Sequence, residues 1–153
     1  MINGLCEDPD TPDTSIEEDI CLIQKEKAGK RNQQLHHTIQ SLVQKDKIHL
    51  RSGLTQSALA DLMKTNVHYL SGLFANYYNT NYNDFINELR VKEACKIIQE
   101  DRENKLSIEQ VAEQVGISSR STFYNAFKKF TGVTPSYYQK NKPGKEVYDY
   151  GIG

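Results

Sequence analysis

The chain has 153 residues, 37% of them hydrophobic and 25% charged, with a formal net charge of −1. That length holds one domain, or one domain and a tail, and the apolar fraction suffices for a modest core. No stretch approaches the roughly 18 apolar residues of a membrane span, and the opening Met-Ile-Asn-Gly lacks the basic start and apolar run of a signal peptide.

The charge is unevenly spread. Residues 1–34 carry four Lys/Arg against eight Asp/Glu, whereas residues 35–142 carry fourteen against ten. A mildly basic block beside an acidic tail suits a nucleic-acid partner, and ordinary solubility accounts for it nearly as well. Three cysteines (Cys6, Cys21 and Cys95) show no CxxC spacing, and Cys95 falls on an apolar helical face. This argues for a reduced, buried thiol in a cytosolic setting and against a metal site. The four histidines do not form HExxH, and neither GxSxG nor a glycine-rich phosphate loop occurs, so nothing points to catalysis or to a cofactor.

In chain order, residues 1–14 (MINGLCEDPDTPDT) are acidic, proline-containing and aperiodic, which predicts disordered or extended chain. Ser15 and Glu18 have capping-box spacing, so Ile16, Ile20 and Ile23 can share one side of a short helix that ends at Gly29-Lys30-Arg31. Residues 1–34 are thus expected to be an acidic linker or tail, or a short helix that docks on the core or on a second copy. From residue 35 to 49, Leu35, Ile39, Leu42, Val43 and Ile48 form a helical stripe, broken at Arg51-Ser52-Gly53. Thr55 caps a helix with Ala58, Leu59, Leu62 and Met63 inward, and Asn66 caps the next, with Leu70, Leu73, Phe74 and Tyr77 inward. The turn between them is Lys64-Thr65-Asn66, where asparagine tolerates unusual backbone angles.

Residues 81–100 give the longest helical pattern, through Tyr82, Phe85, Ile86, Leu89, Ala94, Ile97 and Ile98. At about 1.5 Å per residue it extends roughly 27–30 Å, close to the repeat of about 34 Å along duplex DNA. Ser107 then caps a helix with Ile108, Val111, Ala112 and Val115 on one face, and Gly116 ends it. The segment SSRSTFYNAFKKF opens another helix, with Phe123, Phe127 and Phe130 inside and Arg120, Tyr124, Asn125 and Lys128 outside. Two short helices across a tight glycine turn read as a helix-turn-helix, whose second helix can enter a major groove. Gly132 stops that helix and Pro135 starts a last one, whose Tyr137 and Tyr138 should pack back on the unit; KPGKEVYDYGIG reads as a loose tail. The expected fold is all-α: about seven helices in two helix-turn-helix subdomains, near 35–80 and 105–142, joined by the long linker helix, with 143–153 as tail.

At VAEQVGISS, RSTFYNAFKKF and TGVTPSYY the chain resembles the AraC/XylS family of bacterial transcription regulators, and a looser unit upstream extends the likeness over about residues 35–142. The resemblance implies binding to double-stranded DNA beside a promoter, contact with RNA polymerase, and control of transcription initiation in the cytoplasm, at the nucleoid. Such chains usually carry an upstream sensor or signalling domain, through which a homodimer can form and which can be membrane-anchored; the acidic start resembles the stub of such a connection.

Arg120 can make a two-pronged contact to guanine, and Asn125 the analogous contact to adenine. The family's base-reading positions fall on Arg120, Ser121, Tyr124 and Asn125, with arginine frequent where Asn125 stands. Ser119 and Thr122 fall beside them as phosphate contacts, and Lys128 and Lys129 suit either phosphate or solvent. In the first unit the matching positions are Val67, His68, Ser71 and Gly72, and Gly72 stands where arginine is frequent. That helix is underpowered for base reading, so Asn66, Tyr69 and helix-end amides are expected on phosphate, and the second unit is expected to do most of the choosing. The alternative is a helical protein–protein module that kept the fold without DNA affinity.

Overall fold

The computed structural model describes residues 13–142, which hold seven α-helices and no strand. Helix α1 spans Asp13–Asp46 and is followed by a 3₁₀ turn, Ile48–Leu50; α2 is Gln56–Leu62 and α3 is Val67–Gly72, continuing as a π-helical turn over Leu73–Tyr77. Then come α4 (Tyr82–Glu100), α5 (Ile108–Gln114), α6 (Arg120–Thr131) and α7 (Pro135–Lys140). The expected disordered start lies mostly outside the described residues, as does the expected C-terminal tail.

The start of the chain departs from expectation. No break occurs at Gly29-Lys30-Arg31: α1 runs 34 residues without interruption. Ser15 sits inside that helix rather than capping it, and Ile20 and Ile23 are about half exposed rather than docked on the core. A glycine in a helix costs only about 1 kcal/mol relative to alanine, and the Lys, Glu, Ala, Arg and Gln residues around Gly29 are all good helix formers. The cost is absorbed by its neighbours, and α1 continues into the stripe that starts at Leu35.

Two cores form, and α4 contributes to both. The first gathers Leu35 and Ile39 of α1, Ile48, Leu59, Ala60 and Met63, then Leu70, Leu73 and Phe74, closed by Phe85 and Ile86 of α4. The second gathers Val91, Ala94, Cys95 and Ile98 of α4 with Ile108, Val111, Ala112, Val115, Phe123, Phe127 and Tyr138. Leu62, Tyr77 and Tyr137, all expected inside, are exposed at 43%, 44% and 57%. For Leu62, the seven-residue α2 turns Leu59, Ala60 and Met63 inward instead. For Tyr77, the π turn shifts the register by one residue, so Tyr78 packs inward and Tyr77 does not.

The seam between the units is built from polar contacts and one close backbone approach. Arg90, half-buried on α4, donates from Nε to the His49 carbonyl (2.6 Å) and from Nη2 to the Arg51 carbonyl (2.9 Å), so it is a structural pin rather than a partner in an intrahelical pair. Lys129 of α6 reaches Asp84 at the start of α4 (2.7 Å). Gly116 has φ +84°, and a Cβ there would lie 2.6 Å from the Leu50 carbonyl oxygen. Glycine is needed at that point both for its dihedral and for its lack of a side chain.

The matching turn of the first unit takes its positive φ at Lys64 (55°), not at Asn66, which is the extended N-cap of α3. A residue with a Cβ in this conformation costs roughly 1–2 kcal/mol. The two turns therefore respond oppositely to substitution. Lys64→Gly should stabilise the fold by about 1 kcal/mol, and Gly116→Ala should destabilise it by at least about 2 kcal/mol. Urea midpoints of the two variants test this, and a neutral Gly116→Ala would refute the close approach.

His49 is 4% exposed, and its Nδ1 has no hydrogen-bond partner. Burial lowers its pKa from 6.5 to about 4, with Glu93 opposing the shift and Lys47 and Arg90 adding to it. The unfolded imidazole gains a proton near pH 6.5 while the folded one waits until about 4, so stability is full above pH 6.5 and falls as the pH drops toward 4. The loss is on the order of 3 kcal/mol at the low end. Urea unfolding at pH 7.5 and pH 5 should show this decline, and His49→Leu should flatten it.

Candidate nucleic-acid interface

Each unit presents a short helix, a tight turn and a capped second helix. Thr55 accepts from Ala58 N (3.0 Å) and Asn66 Oδ1 from Tyr69 N (2.9 Å). In the second unit Ser107 and Gln110 form a full capping box, and Ser119 Oγ accepts from Thr122 N (3.3 Å). Both turns close with the same backbone bond at 2.9 Å, Thr65 N to the Ala60 carbonyl and Ile117 N to the Ala112 carbonyl. The likeness of the two units is thus a repeat of hydrogen bonding as well as of sequence.

The second reading helix, α6, has twelve residues and turns Phe123, Ala126 and Phe127 into the core. Ser121, Asn125 and Lys128 are left open to solvent. Arg120 is also exposed, but its fork is occupied: Nη1 pairs with Glu109 Oε1 at 2.8 Å, and the guanidinium lies 5.1 Å from the Tyr124 ring centroid. Its Nη2 donates weakly to the Tyr124 hydroxyl (3.4 Å), which in turn shares a hydrogen bond with Ser136 Oγ (2.9 Å). Tyr124, expected on the outside, is half-buried against the second core. Lys129 stands nine positions after Arg120, about half a turn away around the helix, and is held by Asp84. It lies at the α4-facing edge of the exposed surface, one turn beyond Asn125.

In the first unit Val67 (41%) and Tyr69 (38%) are exposed, as is His68. Ser71 Oγ accepts from Gln56 Nε2 of α2 at 2.9 Å, so its hydroxyl is already engaged, and Gly72 adds no side chain. The helix offers few free polar groups beyond His68. Asn66 and Ser119 have their side-chain oxygens committed to capping, which leaves backbone amides and the Asn66 amide group toward a phosphate.

Three contributors were not singled out from sequence. Glu109 is a first-turn carboxylate that looks merely favourable to the helix end, and only the fold brings it against Arg120. Arg90 reads as one of several helix-surface charges. Arg31 was hidden by the expected helix break; its guanidinium carbon lies 4.0 Å from the Tyr69 ring centroid. Among the described residues no cluster of three or more His, Cys, Asp or Glu could hold a metal ion, and no helix is long and apolar enough to cross a membrane.

Known proteins share this arrangement. The sequence profile of a helix-turn-helix domain family matches residues 59–141. The raffinose operon transcriptional regulatory protein RafR of Pediococcus pentosaceus is 30% identical over 90 residues, 59% of this chain and 31% of that protein. The transcriptional activator CfaD of Escherichia coli is 40% identical over 57 residues, 37% of this chain and 20% of that protein. Among solved structures, the C-terminal domain of the two-component response regulator yesN from Fusobacterium nucleatum matches with a TM-score of 0.58 and 25% identity, covering 68% of this chain and 96% of that domain. The chain therefore spans about a third or less of the length of these curated relatives. With two capped helix-turn-helix units on one shared rod and that profile match, the chain belongs to the AraC-type helix-turn-helix family of DNA-binding transcription regulators, which is not a class of enzymes.

Proposed function

We propose that this chain reads specific double-stranded DNA sequences as the output part of a bacterial transcription regulator, with α3 and α6 in successive major grooves. The observation that carries this is the spacing device: α4, of 19 residues and so about 28 Å long, lends one end to each core. A rod of that length would set the two reading helices near one DNA turn apart, on one face of the duplex. Docked beside a promoter, such a domain presents a surface to RNA polymerase and changes initiation. An upstream sensor or signalling domain, through which a homodimer would form and which would carry any membrane anchor, would supply the signal; the regulator itself acts in the cytoplasm. In domain terms, residues 35–142 are the reading part, and α1 before Leu35 connects it to what precedes.

Within the reading part, Arg120, Ser121, Tyr124 and Asn125 carry most of the base discrimination. Arg120 must leave Glu109 to reach a guanine. Both side chains are more than half exposed (68% and 55%), and pairs of that kind contribute only about 0.2–1 kcal/mol. A two-pronged guanine contact contributes about 1–3 kcal/mol, so the exchange favours DNA. Val67, His68 and Ser71 add less, with Tyr69, Asn66, Ser119, Thr122 and Lys128 positioned for phosphate. Lys129 joins them only if it gives up Asp84.

The test is selection of binding sites from random duplexes, followed by footprinting of variants. Arg120→Ala should relax specificity at one base pair and weaken binding by about 1–3 kcal/mol, whereas Ser71→Ala should cost less. Equal losses in the two variants would defeat the asymmetry between the units.

A further inference from the structure

The part of α1 that precedes Leu35 has no role in either core, yet its placement relative to the first reading helix is definite. Contacts along α1 run antiparallel to α3 and its π turn. His36 Nδ1 meets the Tyr78 hydroxyl at 2.5 Å and its ring lies 4.8 Å from that of Tyr77, at the far end of the reading helix. Five residues earlier on α1, Arg31 lies over Tyr69, the third residue of α3. Going further back, α1 projects past the start of α3 by up to about 27 Å to Asp13. The start of the second helix of a helix-turn-helix is the end that meets base edges. Arg31 therefore stands beside the reading end of the first unit, and Lys27, one turn earlier, continues the same face.

The chemistry there suits a phosphate. Among the described residues, none of Lys27, Lys30 and Arg31 forms an ion pair with a carboxylate. Stacking on Tyr69 uses the face of the guanidinium and leaves its N–H edge free for bidentate contact with oxygen. The acidic residues of α1 do not cancel this charge. Glu26 is five positions from Arg31 and one from Lys27, about 140° and 100° around the helix from them. Glu17, Glu18 and Asp19 lie 8 to 14 positions from the two cations, roughly 12–21 Å, beyond the screening length of about 10 Å at 0.1 M salt.

We propose that Arg31 and Lys27 form a phosphate clamp on double-stranded DNA, with Tyr69 as the stacking support, which gives the first unit affinity where its reading helix lacks base-contacting side chains. The proposal rests on the DNA-binding reading above and adds to it a site outside both helix-turn-helix motifs.

The experiment is fluorescence anisotropy of the whole chain with a random-sequence duplex, between about 50 and 200 mM salt. Because the contact is to backbone, no operator need be known. Arg31→Gln and Lys27→Gln should each flatten the slope of log affinity against log salt by about 1, and the double variant by about 2. Arg31→Lys should keep the slope of the wild type, and so should Lys105→Gln, a charge change in the exposed loop where Lys105 pairs with Glu103. Thermal unfolding of each variant guards against loss of fold, and selection from random duplexes with Arg31→Gln should return the wild-type sequence. Variants whose slopes match the wild type overturn the clamp, and so does tighter binding by the double variant, which would make α1 a shield. Absence of salt-dependent binding by the wild type itself would overturn the DNA-binding reading together with the clamp.

Discussion

The structure depends on one helix being shared. The first half of α4 closes one core with Phe85 and Ile86, and the second half opens the other with Val91, Ala94, Cys95 and Ile98. Since the halves are one rigid helix, the two units take a fixed spacing without a large interface of their own. The seam then needs only to fix rotation, and it does so with a few specific groups. Arg90 is the main one: half-buried, its charge is balanced by two backbone carbonyls from the 3₁₀ turn and the residue after it. Removing that side chain would leave the His49 carbonyl without its partner and the Arg51 carbonyl with only a long bond from Leu54 N (3.4 Å).

The helices were legible because their periodicity and caps were strong. Thr55, Asn66, Asn81, Ser107, Ser119 and Thr134 all accept a backbone amide as N-caps. Phe123, Phe127 and the Ile108–Val115 stripe all enter the second core. What failed did so for local reasons. Gly29 reads as a stop, but a single glycine among good helix formers does not end a helix. The π turn could not be foreseen from spacing, because one extra residue in a turn leaves the apolar pattern ambiguous between Tyr77 and Tyr78. Lys64 carries the strained dihedral because the capping role of Asn66 demands an extended backbone there.

For the interface, sequence located the outward positions of α6 but not what those side chains do in the absence of DNA. Arg120 rests in a chain of contacts through Glu109, Tyr124 and Ser136 that draws on three helices. Arg120 and Tyr124 are four apart on one helix, a spacing that announces contact, but nothing local brings in Glu109 or Ser136. The same holds for Gln56 and Ser71, fifteen residues apart and bonded across the turn. A side chain's reach toward a partner is set by tertiary neighbours, whereas its outward direction is set by helical period, and only the second is written locally.

The unbroken α1 has a mechanical corollary. Its last dozen residues are anchored in the first core and Arg31 rests on Tyr69, while the segment from Asp13 to Lys30 is a free arm of about 27 Å. Tilting that arm by about ten degrees sweeps its tip through nearly 5 Å, a little under one helical pitch. A small angular displacement applied at the tip is thereby delivered, reduced in amplitude and increased in force, to the packing of Leu35 and Ile39: the geometry of a lever with its fulcrum under a reading head.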